Sequence, residues 1–240
     1  MRYRYVYSFC LVAFAGVIIS CGREAASIGK SVVSHYTNDY SLTGWNMPEF
    51  ENPDCIRIAG STSGSENTMA VFSRWNEDSL CFFFRVEDTD LRAYQTEWDH
   101  PQLWLDDMVE ILIDTQNNKD SCWAEDDIVY HINILEYVKD DRGSRECVTN
   151  PAWNSKAHFQ VQVFGTVNDT ADVDLGYLLT LSIPWEEIGR EPSRNLTMGI
   201  NLANGDNDGR GRQLFDWVGA SPMRSPYAFG NLVLKKKGLF

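Results

Sequence analysis

Along most of the chain, apolar residues recur at every second position. Phe82, Phe84 and Val86 alternate with Cys81, Phe83 and Arg85, while Val109, Ile111 and Ile113 alternate with Glu110, Leu112 and Asp114. That period belongs to strands with one face against a core. Runs of the same type cover Thr68 to Arg74, Ile128 to Leu135, His158 to Phe164, Tyr177 to Ile183, Leu196 to Ala203 and Asn231 to Leu234. Turn formers such as Asn76-Glu77-Asp78, Gln116-Asn117-Asn118 and Gly205-Asp206-Asn207-Asp208-Gly209 separate them. One short helix is predicted at Pro184-Trp185-Glu186-Glu187-Ile188, opened by Pro and stopped by Gly189. The pattern predicts an all-β fold, an antiparallel β-sandwich of jelly-roll type with one accessory helix. Neither an internal repeat nor a second domain is visible.

The first residues follow another rule. Arg2 and Arg4 precede an apolar stretch from Phe9 to Ile19, too short and too early to span a bilayer as a mature helix. Residues 1–20 therefore read as an export signal. Ile18-Ile19-Ser20-Cys21-Gly22 looks like the lipobox at which bacterial lipoproteins are cleaved and acylated on Cys. An ordinary signal followed by a chance Cys is the alternative. On the lipobox reading, 21–31 is a small, polar tether and 32–240 the folded domain. The protein is then exported and held by lipid on Cys21 at the bacterial envelope, with the outer membrane as the expected site.

Composition narrows the partners. At 43% hydrophobic and 12% aromatic the chain has material for a core, and 21 Lys+Arg against 34 Asp+Glu leave a net charge of −13. Such a charge repels phosphate backbones and anionic headgroups, so nucleic acid is not an expected partner. Contact with a membrane would come through the lipid. Of 6 Cys, Cys10 leaves with the signal and Cys21 carries lipid, so Cys55, Cys81, Cys122 and Cys147 remain in an oxidising compartment. Four thiols allow three pairings, the sequence does not choose among them, and one or two bridges are expected. Without a C-x-x-C pair, zinc has no support.

Asn204-x-Asp206-x-Asp208-Gly209 matches the start of a calcium loop, but its twelfth position is Phe215 where a bidentate Glu is needed. An EF-hand is excluded, and the stretch is either an irregular structural calcium loop or a solvated acidic turn. Asp106-Asp107 and Glu125-Asp126-Asp127 are further hard-oxygen clusters of equal ambiguity. No G-x-S-x-G, H-E-x-x-H or phosphate loop occurs, and 4 His are a thin supply for acid–base work. A carboxylate pair could hydrolyse a glycosidic bond, but sequence cannot single one out, and catalysis is not expected.

Three segments carry more information than their composition. The first is Asn76-Glu77-Asp78-Ser79-Leu80 running into Cys81-Phe82-Phe83-Phe84-Arg85-Val86-Glu87-Asp88. The second is Trp104-Leu105-Asp106-Asp107-Met108-Val109-Glu110-Ile111-Leu112-Ile113-Asp114. The third joins Gly176-Tyr177-Leu178-Leu179-Thr180-Leu181-Ser182-Ile183-Pro184-Trp185 to the closing Pro226-Tyr227-Ala228-Phe229-Gly230-Asn231-Leu232-Val233-Leu234. In this order they resemble the family 9 carbohydrate-binding modules, from about residue 40 to the C-terminus.

The resemblance implies a β-sandwich that binds oligo- or polysaccharide without catalysis, in a setting of polysaccharide breakdown. In sugar-binding members a saccharide lies between two Trp rings, gripped by a carboxylate and polar neighbours. Trp104 falls on the first ring, Glu110 on the carboxylate, and His131 on a position usually held by Arg. Met223 stands where the family has the second Trp. That departure opens two alternatives. A sandwich with a decayed sugar site could serve as a docking partner in an envelope complex. Similar sandwiches hold b-type haem, with Met223, Met108 and His131 as candidate ligands.

Physical chemistry points to the same residues. A pyranose offers an apolar face and a belt of hydroxyls, so its site needs an aromatic surface beside donors and acceptors. Alternation puts His131 and Asn133 on one face of their strand and turns Glu110 away from Val109, Ile111 and Ile113. The competing reading is that this face merely meets water. Trp104 either contacts ligand or seals an end of the sandwich.

Overall fold

The computed structural model describes residues 29–38, 44–60, 67–208, 211–219 and 225–236. Cys21, the export segment and Met223 lie outside them. The strands are β1 (Ser31–Tyr36), β2 (Ile56–Ala59), β3 (Thr68–Trp75), β4 (Ser79–Glu87), β5 (Met108–Asp114), β6 (Asp127–Asn133) and β7 (Val138–Gly143). They continue with β8 (Thr149–Asn150), β9 (His158–Phe164), β10 (Gly176–Pro184), β11 (Thr197–Asn207), β12 (Arg212–Asp216) and β13 (Gly230–Lys235). They form one curled sheet in the order β8-β7-β6-β5-β11-β13-β1-β3-β4-β10-β9, with β12 on β11 and β2 on β3.

All eight alternating runs are strands, and the fold is nearly all-β as expected. It is not purely antiparallel, because β1 runs parallel to both of its neighbours, β13 and β3. The strands that escaped notice (β1, β2, β7, β8, β12) are short, charged or next to the tether. The helix α1 (Trp185–Ile188) is present, with Pro184 at its N-cap rather than within its first turn. It ends at Gly189, whose φ of 69° is left-handed and suits glycine.

Curling the sheet brings its halves face to face. Val109, Ile111 and Ile113 of β5 and Ile128, Tyr130 and Ile132 of β6 join Phe82, Phe84 and Val86 of β4 and Leu179 and Leu181 of β10 in one core. The far side of β3 and β4 is apolar too. Phe72 and Phe83 stack there at 4.7 Å, and the 3-10 turn Pro48–Glu51 covers them with buried Phe50. The ends of the sheet meet at a seam, where Trp98 packs on Tyr137 and Phe159 and the Glu136 carboxylate accepts the Val161 N–H at 2.9 Å. Capping that N–H blunts the edge strand β9. Cys122 and Cys147 are disulfide-bonded, whereas Cys55 and Cys81 are free thiols.

Candidate functional site

The second face of β5 and β6 carries the polar residues the alternation singled out. Glu110 and His131 are direct cross-strand partners, and their side chains meet, Oε1 to Nε2, at 3.2 Å. Both are buried, at 0% and 3% exposure. His131 in turn pairs with Lys139 of β7, whose carbonyl lies 3.3 Å from Nδ1. An acceptor therefore faces each ring nitrogen, which orients the imidazole. Lys139 forms an ion pair with Asp141, the next residue along the same face. The polar strip thus runs Glu110, His131, Lys139, Asp141 across three strands. Lys139 and Asp141 were missed because Val138–Gly143 is so charged that nothing in it signals a strand.

Trp104 sits in the short 3-10 turn Leu103–Leu105, which packs on β6 and β11, and is 40% exposed. The Arg212 guanidinium lies over its ring at 5.0 Å from the centroid. Arg212 comes from β12, paired with Asn207 of β11. Nearby, Gly205 makes room for Met108, since a Cβ there would stand 3.1 Å from the Met108 side chain. One face of the indole is therefore held by a cation–π contact while part of the ring stays open to solvent. Sequence carried no signal for this pairing.

Asn133 takes a different role from the one expected. Its Nδ2 donates to the Gln95 carbonyl and to Asp106 Oδ2, both at 2.9 Å, and its Oδ1 accepts from the N–H of Leu135 and of Tyr137. Asp106 also receives the N–H groups of Tyr94 and Gln95. Asn133 and Asp106 thus lock the loop before β5, and with it the turn that presents Trp104. All of the Asn133 hydrogen-bonding capacity is spent inside the fold.

The stretch 204–208 is not a loop, because Asn204 to Asn207 belong to β11. Asn204 offers no ligand of its own, because it bonds to Asn67 at 2.6 Å and to the Tyr177 hydroxyl, and Asn67 in turn donates to Asp88 at 3.0 Å. Asp206 instead converges with Asp88 and Asp107, their oxygens within 4.8 Å of one another, and Asp208 adjoins Asp206. Burial first, then the neighbouring carboxylates, pushes Asp88 up to about 7 and Asp107 well above the ordinary range. These groups come from three separate segments, so alternation could not unite them. A second group, Asp114, Asp126 and Asp127, lies at the far end of β5 and β6.

Two of the three residues named for the haem alternative lie among the described residues. Both nitrogens of His131 face protein acceptors, and buried Met108 packs against Gly205. Met223 lies outside the described residues.

Residues 45–237 match the model of the family described as carbohydrate family 9 binding domain-like. The chain belongs to this family. The xylanase Endo-1,4-beta-xylanase A of Thermotoga neapolitana is 27% identical over 215 residues, which span 88% of this chain and 18% of that protein. The enzyme of the same name from Thermotoga maritima is 26% identical over 196 residues, covering 80% and 16%. The chain thus spans less than a fifth of the curated relatives it matches.

Among solved structures, a family 9 carbohydrate-binding module from Caldicellulosiruptor kristjanssonii in complex with cellotriose superimposes with a TM-score of 0.62. It is 16% identical, with 88% of this chain and 96% of that one covered. The glucose complex of a module from the same organism gives 0.63 at the same identity, over 88% and 98%. Carbohydrate family 9 modules therefore share this fold across almost the whole described chain.

Proposed function

We propose that this protein binds glycan without transforming it, at a site built from Trp104 and the strip Glu110, His131, Lys139 and Asp141. The observation that carries the reading is the partly open Trp104 ring, held on one face by the Arg212 guanidinium. The ring offers an apolar platform for the C–H face of a sugar, and Lys139, the partly exposed member of the strip, offers its ammonium to the hydroxyls while Glu110 and His131 hold the sheet beneath. Family membership and the solved modules in complex with cellotriose and glucose support sugars of this class.

A binding role fits the electrostatics better than hydrolysis does. Glu110 is engaged by His131 and Asp106 by three donors, so neither is placed as a free acid or base for a glycosidic bond. In our reading the lipid on Cys21 holds the protein at the bacterial envelope, where it keeps polysaccharide near the enzymes and partner proteins that degrade it.

The test is a panel of gluco- and xylo-oligosaccharides, from glucose to cellotriose and longer, titrated into the soluble form beginning at Gly22. Tryptophan fluorescence and calorimetry give the readout. Saturable binding of one series supports the proposal, and no binding across the panel overturns it. Anchoring is tested separately: Cys21→Ala should move the protein from the membrane fraction to the soluble one and abolish incorporation of labelled fatty acid.

A further inference from the structure

Two arginines flank one small residue on the outer face of β2, β3 and β4. Arg57 of β2 and Arg85 of β4 both pair with Ala70 of β3, one on each side. Two strand spacings, about 9.6 Å, separate their backbones, and the methyl group of Ala70 leaves the floor between them low. The next row along is Ala59, Thr68 and Glu87. The result is a hollow of about 240 Å³ whose polar walls are Arg57, Arg85, Thr68 and Glu87. Phe82, Phe84 and Val86 of β4 point into the core, so Arg85 and Glu87 point away from it. The hollow is thus separate from the polar strip of β5, β6 and β7.

Arg85 is held rigidly. Its side chain is 11% exposed, and its guanidinium lies over the rings of Phe50 at 5.0 Å and Trp45 at 6.0 Å. Nη1 donates to the Trp45 carbonyl at 3.4 Å and Nη2 to Glu51 Oε1 at 3.2 Å. Nε is buried without a hydrogen-bond partner, since Glu87 Oε1 stands at 3.6 Å, beyond hydrogen-bonding reach. Arg57 Nη2 donates to the Phe50 carbonyl and reaches Glu51 Oε2 at 3.4 Å, while its Nε and Nη1 have no partner among the described residues. A buried donor left unpaired is costly, and here it borders a hollow that a ligand can enter.

One carboxylate serves both guanidiniums. Glu51 ends the turn Pro48–Glu51, and at 68% exposure it is open to replacement by a carboxylate from solution. The planar guanidinium fork suits such a group. Glu87, whose Oε2 accepts the Thr68 hydroxyl at 3.1 Å, supplies acceptors on the other wall. The net charge of −13 repels anions at long range, so a ligand needs hydroxyls that donate to Glu87 as well as a carboxylate.

The geometry points to a binding site for a sugar acid, a uronic acid residue, in the hollow between Arg57 and Arg85. The two guanidiniums take its carboxylate in place of Glu51, and Glu87 and Thr68 take its hydroxyls. The hollow is smaller than the roughly 300–1,000 Å³ of sites for drug-sized ligands, which suits a single ring. This site does not rest on the reading of Trp104.

The test is calorimetry on the full chain with methyl glucuronoside, methyl glucoside and sodium sulfate as probes. The glucuronoside should bind saturably, and the other two about tenfold or more weakly. Arg57→Gln, at a half-exposed side chain, should weaken glucuronoside binding about tenfold or more while circular dichroism stays that of the folded protein. Glu51→Gln removes the competing carboxylate and should strengthen binding about two- to fivefold, the strength of an exposed ion pair. Trp104→Ala should leave it unchanged. No binding of the glucuronoside, equally tight glucoside or sulfate, or unchanged affinity in Arg57→Gln would each overturn the inference. Loss of binding in Glu51→Gln would overturn it too, and so would loss in Trp104→Ala, which would place the acid at the other site.

Discussion

Glu110 and His131 face each other across β5 and β6 at 3.2 Å, in a position where neither meets bulk water. A pair so buried adds little net stability, because desolvation offsets most of the attraction. Breaking it is a different matter. Glu110→Gln removes the carboxylate that His131 faces, and leaving a buried hydrogen-bonding group unsatisfied costs about 1–3 kcal/mol. Urea unfolding should show that loss, and glycan affinity should fall with it. An unchanged midpoint would mean that the pair is not formed in solution.

Arg212 should act through Trp104. A cation over an indole contributes about 0.5–2 kcal/mol, and Arg212→Ala removes the contact that fixes the ring. Glycan binding is expected to weaken about two- to thirtyfold at that energy. Global stability should change little, because Trp104 is 40% exposed. Arg212→Lys should recover only part of the affinity, since a compact ammonium cannot stack as a guanidinium does. Calorimetry on the three proteins checks the order, and equal affinities would contradict it.

Acidity should stabilise the metal-free protein. Burial pushes Asp88 up to about 7 and Asp140 up to about 6, while in the unfolded chain such groups titrate near pH 4. The folded state therefore holds protons that the unfolded state has released. The stability this contributes is fully present below about pH 4 and is lost as pH rises through 6 to 7. In EDTA, the urea midpoint should be higher at pH 5 than at pH 8. A flat or rising profile across that window would contradict the buried placement of these groups.

The Cys122–Cys147 bridge spans 25 residues of sequence. Closing a loop of that size stabilises by about 2–4 kcal/mol, so the Cys122→Ser, Cys147→Ser double variant should unfold at correspondingly lower urea. Cys55→Ser should differ little from the wild type, because Cys55 is a half-buried free thiol. A double variant as stable as the wild type would mean the bridge constrains nothing.

Alternation made the inner strands legible, because their apolar face meets a continuous core and a period of two survives whatever lies on the other face. It failed for β7, where Lys139, Asp140, Asp141 and Arg142 follow one another. Their strand conformation comes from pairing with β6, a tertiary cause absent from local composition. Glu110 and His131 were legible as residues turned away from a core. Asn133 shares their face, yet the loop folded over it consumes its amide, and alternation reports direction rather than coverage. Arg212 and the convergence of Asp88, Asp107 and Asp206 depend on loops and hairpins meeting in space, for which one chain's pattern holds no signal.

The central claim is that Trp104 is the platform of a glycan site. Isothermal titration of cellotriose into the wild type and into Trp104→Ala tests it most directly. Losing a stacking aromatic from a site of this kind should cost at least about 1.4 kcal/mol, a factor of ten or more in affinity, with the unfolding midpoint nearly unchanged. Cellotriose binding that survives the substitution intact would contradict the account and move the site elsewhere on the sheet. Absence of binding in the wild type would contradict it as well, and would favour a docking role for a sandwich that no longer holds sugar.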